Sequence, residues 1–411
     1  MDFSFKRIFP FVCCAILTLI ILKLHITDNV DSMLNENNTR ISNGFLTSQV
    51  KYHGDLPAFA RRPLTTFLIT KTSSLFGVRI GDAFIYVNFF LLWLSGCLLY
   101  VLSKKLNASN KAALINILVY YSSFSIIFLF FPPIFSYDEP LQYSLIFAAL
   151  YSLLTERIGM YIALLTLAAI SKEASIFLIP GLFYIVSKEK GQPFISLSAI
   201  KKHFYIGVPV ILYAIYVGVF IWQSKMVDVS KAEMHSRLFC LSENFEDPKS
   251  AMESISSIIL TLLWPLYLIA IYWKKIDGSY KKIFIGFLIT VAINSPVITL
   301  FTLARESRLY ALPLVLFWPI FYQVFWQHLQ PIASFKRIKN CFTNFFYLGS
   351  FLVCTLINLS FCYYCFYALG LGENNYFTIY LFVTIAAIYT HFLLWHHITF
   401  KATSEENRLQ K

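Results

Sequence analysis

The chain has 411 residues, of which 57% are hydrophobic and only 14% are charged, and its formal net charge is +12. Repeated apolar runs long enough to cross a bilayer exclude a soluble domain and indicate a polytopic helical membrane protein. The basic residues do not form a patch interleaved with aromatic side chains, so we expect no nucleic-acid partner.

Twelve apolar runs predict an all-α fold of about 12 transmembrane helices. They cover residues 8–26, 83–103, 112–133, 141–155, 158–171, 174–187, 204–224, 254–273, 283–304, 309–327, 344–369 and 375–399. The runs at 158–171 and 174–187 are shorter than the ~20 residues that a full crossing needs. We therefore predict two short helices that meet near Ser171-Lys172-Glu173, below the membrane surface.

The distribution of basic residues orients these spans. With the amino terminus inside, most of the 34 Lys and Arg residues fall in inner segments, whereas most of the 22 Asp and Glu residues do not. This distribution follows the positive-inside rule. We expect a multi-pass protein of a bacterial inner membrane, with both termini in the cytoplasm.

The same topology leaves two long outer segments, 27–82 and 225–253. Within 63–76, Leu and Phe recur at helical spacing opposite Thr and Ser, and Pro63 suits a first helical position. This pattern predicts a helix that lies in the membrane interface and covers the predicted site on the outer side. No internal repeat divides the chain, so we predict a single membrane domain over residues 1–411, with carboxyl-terminal helices in 254–399.

Charged clusters interrupt the apolar sequence at three places, and the topology puts all three on the outer side. They are Asp138-Glu139, Lys172-Glu173 and Arg305-Glu306-Ser307-Arg308. Ionisable groups at membrane depth are costly and are tolerated mainly where they pair or line a wet cavity. Their convergence predicts a reaction site recessed into the outer leaflet, and so an enzyme.

Cysteine and histidine add no further predicted site. Most of the eight cysteines stand in apolar runs, which favours inert packing over a disulfide framework. His391, His396 and His397 lie at the inner end of the last span, without the matching ligands that a metal site needs.

The charged motifs also have a characteristic order. They are Ile26-Thr27-Asp28-Asn29-Val30-Asp31, Arg61-Arg62-Pro63-Leu64, Asp138-Glu139-Pro140, Ser171-Lys172-Glu173 and Arg305-Glu306-Ser307-Arg308-Leu309-Tyr310. In order and topology the chain resembles the GT-C superfamily of polyprenyl-phosphate-dependent glycosyltransferases, over 8–187 and more loosely over 283–327. It is similar to aminoarabinose transferases of lipid A and to protein O-mannosyltransferases.

The resemblance implies inverting transfer of a sugar from a polyprenyl-phosphate-linked donor, on the outer face. The implied acceptor is a hydroxyl group of a lipid, glycan or protein. It also implies that an acid of the first outer loop takes the acceptor proton, and Asp28 and Asp31 are the matching positions. Asp55 is a further candidate for this base.

Asp138 and Glu139 stand where the family often places an acid that binds a divalent metal or the acceptor. Adjacent carboxylates suit a hard cation such as Mg²⁺ or Mn²⁺, although two ligands do not specify one. The alternative is structural, because Asp before Glu-Pro also suits the start of a helix.

The basic residues fit a departing lipid phosphate. Lys172 would stabilise the developing anion, and its alternative roles are an ion pair with Glu173 or a side chain that snorkels to the membrane interface. Arg305 and Arg308 stand three apart, a spacing that would clamp a phosphate or pyrophosphate from one helical face, although arginines there also anchor to lipid headgroups. Arg61 and Arg62 fit either role.

Two other functions compete with glycosyl transfer. A transporter or flippase of lipid-linked sugars would place polar groups toward both faces of the membrane, whereas these clusters stop at one. A polysaccharide polymerase would carry its key residues on a long outer loop, and 225–253 is only modest in length.

Overall fold

The computed structural model describes residues 5–25, 43–130, 137–187, 201–224, 231, 235–371 and 375–409. Within these ranges every regular element is helical, and none is a β-strand. The prediction of an all-α membrane protein is therefore confirmed at the level of fold class.

The first ten α-helices are α1 (Phe5–His25), α2 (Asn43–Asp55), α3 (Pro57–Ala60), α4 (Pro63–Phe76), α5 (Ile80–Lys105), α6 (Asn110–Ser122), α7 (Phe124–Ile127), α8 (Glu139–Leu154), α9 (Ile158–Ser171) and α10 (Ile179–Ser187). Further helices with described bounds are α11 (Val208–Ser224), α12 (Cys240–Asn244), α13 (Pro248–Ile258), α14 (Trp264–Tyr272), α15 (Gly278–Phe301), α16 (Leu314–Phe317), α17 (Gln327–Ile332), α18 (Phe335–Phe342), α19 (Phe345–Tyr367) and α20 (Asn375–Leu409). Short 3₁₀ helices cover Glu173–Leu178, Phe204–Ile206, Trp273–Lys275, Ser307–Ala311 and Trp318–Ile320, and π-helical turns cover Ile259–Leu263 and Tyr322–Trp326.

Six helical stretches in the described part of the chain are long and apolar enough to cross a membrane. They are Ile80–Lys105, Phe204–Ser224, Pro248–Lys275, Gly278–Phe301, Phe345–Tyr367 and Phe377–Thr399. Ile8–Leu24, Ile158–Ser171 and Glu173–Ser187 are apolar but shorter. A polytopic membrane protein follows from these helices, whereas the total of twelve crossings stays a prediction.

Two predicted spans are broken helices. The run at 112–133 ends its helix at Ser123, whose backbone is extended and whose Oγ donates to the carbonyl of Val119 at 2.7 Å. The run at 309–327 is a sequence of short 3₁₀, α and π segments. Trp318, in the second run, donates its indole N–H to Ser123 Oγ at 2.8 Å, so the two irregular segments pack on each other.

The predicted break between two short helices falls at Lys172. Its backbone is extended, with φ −156° and ψ 116°, and the chain continues in a 3₁₀ turn before α10. Helix α10 packs closely on α15, where a Cβ at Gly181 would lie only 2.5 Å from the carbonyl oxygen of Gly286. This contact fixes the short helix that follows Lys172.

Helix α4 matches the predicted helix of the first outer segment. It begins at Pro63 and ends before Gly77, which adopts the left-handed conformation (φ 59°) that glycine tolerates best. Thr65 and Ile69 are buried, whereas Leu75 is 77% exposed. An apolar side chain exposed to this degree suits contact with lipid, and the interfacial position of the helix stays a prediction.

Candidate functional site

Glu139, Lys172 and Arg308 come from three distant segments and form one buried ion cluster. Glu139 begins α8, Lys172 lies in the break after α9, and Arg308 lies in the 3₁₀ helix Ser307–Ala311. The Lys172 ammonium donates to Glu139 Oε1, and Arg308 Nε lies 3.3 Å from the same oxygen. All three side chains are buried. The structure thus brings together members of all three charged sequence clusters.

A second acid holds the other edge of Arg308. The Arg308 Nη2 atom donates to Glu306 Oε2 at 3.0 Å, and Nη1 donates to the carbonyl of Leu129 at 3.4 Å. The guanidinium therefore bridges two carboxylates and the backbone. Removing an ion from water is tolerated only when such partners replace its hydration.

Glu173 organises the neighbouring arginine pair. Arg62 binds it through two nitrogens, with Nε 2.6 Å from Oε2, and Arg61 Nη2 donates to Oε1 at 3.2 Å. Burial disfavours the charge on Arg62, but the carboxylate of Glu173 outweighs this effect and raises the pKa of Arg62 above its ordinary value. The alternative pairing of Lys172 with Glu173 is not found, because the Lys172 ammonium donates to Glu139 whereas Glu173 binds Arg61 and Arg62.

Asp138 begins α8 without capping it through its side chain. Its Oδ2 instead lies 3.1 Å from His53 Nε2, and His53 Nδ1 lies 3.1 Å from Thr66 Oγ1. Thr66 Oγ1 also lies 3.0 Å from the hydroxyl of Tyr137. The four side chains form a continuous hydrogen-bonded chain, and the proposed capping role of Asp138 is not found.

Two cavities adjoin this charged region. The first, which we call the lysine cavity, has a volume of about 280 Å³ and includes Arg62, Lys172, Glu173, Arg237 and Glu306 in its wall. The second, which we call the histidine cavity, has a volume of about 290 Å³ and is bounded partly by His53 and Thr66. Phe59 and Arg62 belong to both walls, so the two cavities are neighbours.

The charges in the wall of the lysine cavity do not cancel. Arg62, Lys172 and Arg237 contribute three cations, whereas Glu173 and Glu306 contribute two anions. The rest of the wall is mainly apolar, with Phe177, Val297, Ile298, Phe301 and Leu309 among its residues. The wall of the cavity therefore combines a small excess of positive charge with a mainly apolar surface.

Arg305 does not share the position of Arg308. It is exposed, and it lines a separate polar cavity of about 180 Å³ together with Glu243 and Glu246. The predicted arginine clamp on one helical face is wrong, because the 3₁₀ helix begins only at Ser307. Helical i, i+3 spacing therefore does not relate Arg305 to Arg308.

The structure describes only one of the three candidate bases, Asp55. Asp28 and Asp31 lie outside the described residues, so their role stays a prediction. Asp55 is exposed at the end of α2, whereas His53, two residues earlier, is buried against Asp138. Sequence reasoning missed His53, and its only signal was proximity to the candidate Asp55.

No group of three or more His, Cys, Asp or Glu side chains in the described ranges is placed to hold a metal ion. Glu139 Oε1 already faces Lys172 and Arg308, and Asp138 Oδ2 faces His53. These carboxylates do not form a ready ligand set for Mg²⁺ or Mn²⁺. We therefore derive no step through a divalent cation.

No protein-family model, curated protein or solved structure matches this chain.

Proposed function

We propose that the protein transfers a sugar from a polyprenyl-phosphate donor to a hydroxyl group on the outer side of the membrane. The acceptor is a lipid, a glycan or a protein. The observation that carries this proposal is the lysine cavity, which joins buried cations to an apolar wall at the meeting point of three charged clusters. A lipid-linked phosphate has these same two parts, an anion and a hydrocarbon tail.

The charge of the wall favours a monophosphate over a diphosphate linkage. A phosphate that joins a sugar to a polyprenol is a phosphodiester and carries one negative charge. The wall has one more cation than it has anions, so a phosphodiester would balance the charge of the residues that line the cavity. A diphosphate would leave excess negative charge in a site of low dielectric, which is costly.

Each basic residue then has a distinct role. When the bond between the sugar and the phosphate breaks, the phosphate gains charge, and Lys172 and Arg62 are the cations in the wall best placed to stabilise it. Glu139 holds Lys172 in position, and Arg308 binds the same carboxylate oxygen of Glu139. The apolar residues accommodate the first isoprene units of the carrier.

The proposal is tested by mass spectrometry of polyprenyl-linked sugars and surface glycans in cells with and without the gene. We expect a polyprenyl-phosphate-linked monosaccharide to accumulate on deletion and one glycan to lose the same sugar. If neither pool changes, glycosyl transfer is wrong. If the donor instead accumulates only on the cytoplasmic side, the protein is a flippase.

Complementation with variants localises the effect to the site. Lys172→Met should fail to restore the glycan, whereas Lys105→Met, an exposed lysine at the inner end of α5, should restore it. Both proteins must reach equal levels in the membrane. Full restoration by Lys172→Met would contradict the role of Lys172.

A further inference from the structure

The hydrogen-bonded chain from Tyr137 to Asp138 has a direction. A carboxylate only accepts hydrogen bonds, so Asp138 requires the proton of His53 to be on Nε2. Nδ1 of His53 is then an acceptor and takes the hydrogen bond of the Thr66 hydroxyl. The oxygen of Thr66 in turn accepts from the hydroxyl of Tyr137. The donors therefore run in one direction, from Tyr137 through Thr66 and His53 to Asp138.

The orientation of the imidazole is fixed from several sides. His53 is 1% exposed, and its ring stacks on Phe59 at a centroid distance of 5.0 Å and packs on Tyr137 at 4.5 Å. Asp138 is fully buried beneath it. A base held by a carboxylate, with its free lone pair aimed at a hydroxyl, is the arrangement that activates alcohols in enzymes of unrelated folds.

The chain borders a cavity of suitable size and position. His53 and Thr66 line the histidine cavity, which shares Phe59 and Arg62 with the lysine cavity. A hydroxyl bound at Thr66 would therefore lie next to a sugar whose phosphate is bound at Lys172 and Arg62. Positioning the two reactants side by side is itself a large part of catalysis.

We infer that Thr66, His53 and Asp138 form a proton relay for the acceptor hydroxyl, and that the histidine cavity is the acceptor subsite. This inference rests on the proposed function. The acceptor oxygen forms a bond to the anomeric carbon, and the bond from that carbon to the phosphate oxygen breaks with its electron pair on the phosphate. The acceptor proton passes to Thr66 as Thr66 gives its own to His53 Nδ1, and Asp138 stabilises the resulting imidazolium.

Charged and polar groups surround the His53 ring. Asp138 faces the ring directly, and Arg62 lies in the wall of the same cavity, while Tyr137 and Thr66 supply the other polar contacts. Asp28 and Asp31 are the rival proton acceptors that the resemblance implies.

The test uses the purified full-length protein in lipid nanodiscs, with synthetic polyprenyl-phosphate sugars and an alcohol acceptor. His53→Gln should lower transfer to the alcohol by about 100-fold or more, the usual contribution of a positioned base. Azide, which needs no base, should form a glycosyl azide at a rate similar to wild type. A purely structural role of His53 would lower both reactions equally and would overturn the inference.

Further variants separate the relay from its rivals. Thr66→Val should lower alcohol transfer while Thr66→Ser retains it, and Thr72→Val on the same helix and His235→Gln on the outer surface serve as matched controls. The inference is wrong if Asp28→Asn or Asp31→Asn loses transfer to the alcohol but still forms the glycosyl azide, while His53→Gln does not show this pattern. If wild type transfers no sugar to alcohol or azide from any donor, the proposed function fails, and the acceptor role of the relay fails with it.

Discussion

The charged site of Glu139, Lys172 and Arg308 and the His391 cluster, formed by His391, Tyr267 and Tyr272, are both buried polar regions, yet their chemistry differs. His391 lies between the hydroxyls of Tyr267 and Tyr272, 2.7 Å from Nδ1 and 2.9 Å from Nε2. A neutral imidazole donates through one nitrogen and accepts through the other, so two tyrosines satisfy it fully. His391 lines neither of the two cavities described above.

The charged site has ionised groups where the His391 cluster has neutral ones. Glu139 alone faces two cations, and these groups adjoin a cavity whose wall carries an excess positive charge. Buried neutral hydrogen bonds add specificity to packing, whereas buried ion pairs often stabilise less than apolar residues of the same volume. The comparison teaches that burial alone does not indicate a functional group. Buried charged groups beside a cavity are the better candidates, because packing alone does not require them.

The largest effect is expected at Glu139. Glu139→Gln leaves both Lys172 and Arg308 without this carboxylate, and unfolding in detergent should show a loss of about 3–5 kcal/mol, because breaking a buried pair leaves uncompensated charge. Lys172→Met is the control. In this variant Glu139 still pairs with Arg308, so the loss of unfolding free energy should be smaller than in Glu139→Gln. Equal stability of Glu139→Gln and wild type would contradict the cluster.

A smaller effect is expected at Glu173, which is partly exposed. Glu173→Gln weakens the paired hydrogen bonds of Arg62 and should cost about 1.5–3 kcal/mol, the range for hydrogen bonds to charged groups. The exposed Glu246→Gln, measured by the same unfolding assay, should change little. If the two variants behave alike, Glu173 does not hold the arginine pair.

The His391 cluster should affect stability without affecting transfer. His391→Phe removes two hydrogen bonds from tyrosine hydroxyls and should cost about 1–2 kcal/mol. Sugar transfer per folded molecule should equal that of wild type. A selective loss of transfer at normal stability would show that the His391 cluster also takes part in function.

The smallest effect is expected at Arg305. Arg305→Ala removes an exposed side chain, so stability should change by no more than about 0.5 kcal/mol. Transfer should stay close to wild type, whereas Arg308→Ala should abolish it. Loss of transfer in Arg305→Ala would restore the two-arginine clamp that the structure argues against.

The convergence of Asp138, Glu139, Lys172 and Arg308 could be predicted because the lysine distribution favours a topology that puts all three charged clusters on one side of the membrane. Which side chains pair with one another within the cluster could not be predicted. Lys172 pairs with Glu139 rather than with its neighbour Glu173, because the helix breaks at this residue into extended backbone. His53 lies on a weakly amphipathic outer helix, where periodicity alone does not reveal which side chain reaches α8.

The most direct test of the central claim is turnover of polyprenyl-phosphate-linked sugars by the purified protein in lipid nanodiscs. We predict that wild type releases polyprenyl phosphate in step with sugar transfer, and that folded Lys172→Met binds the same donors more weakly and releases none. Release of equal amounts by both proteins, or no release from any monophosphate donor, would contradict the assignment of the lysine cavity to a lipid phosphate.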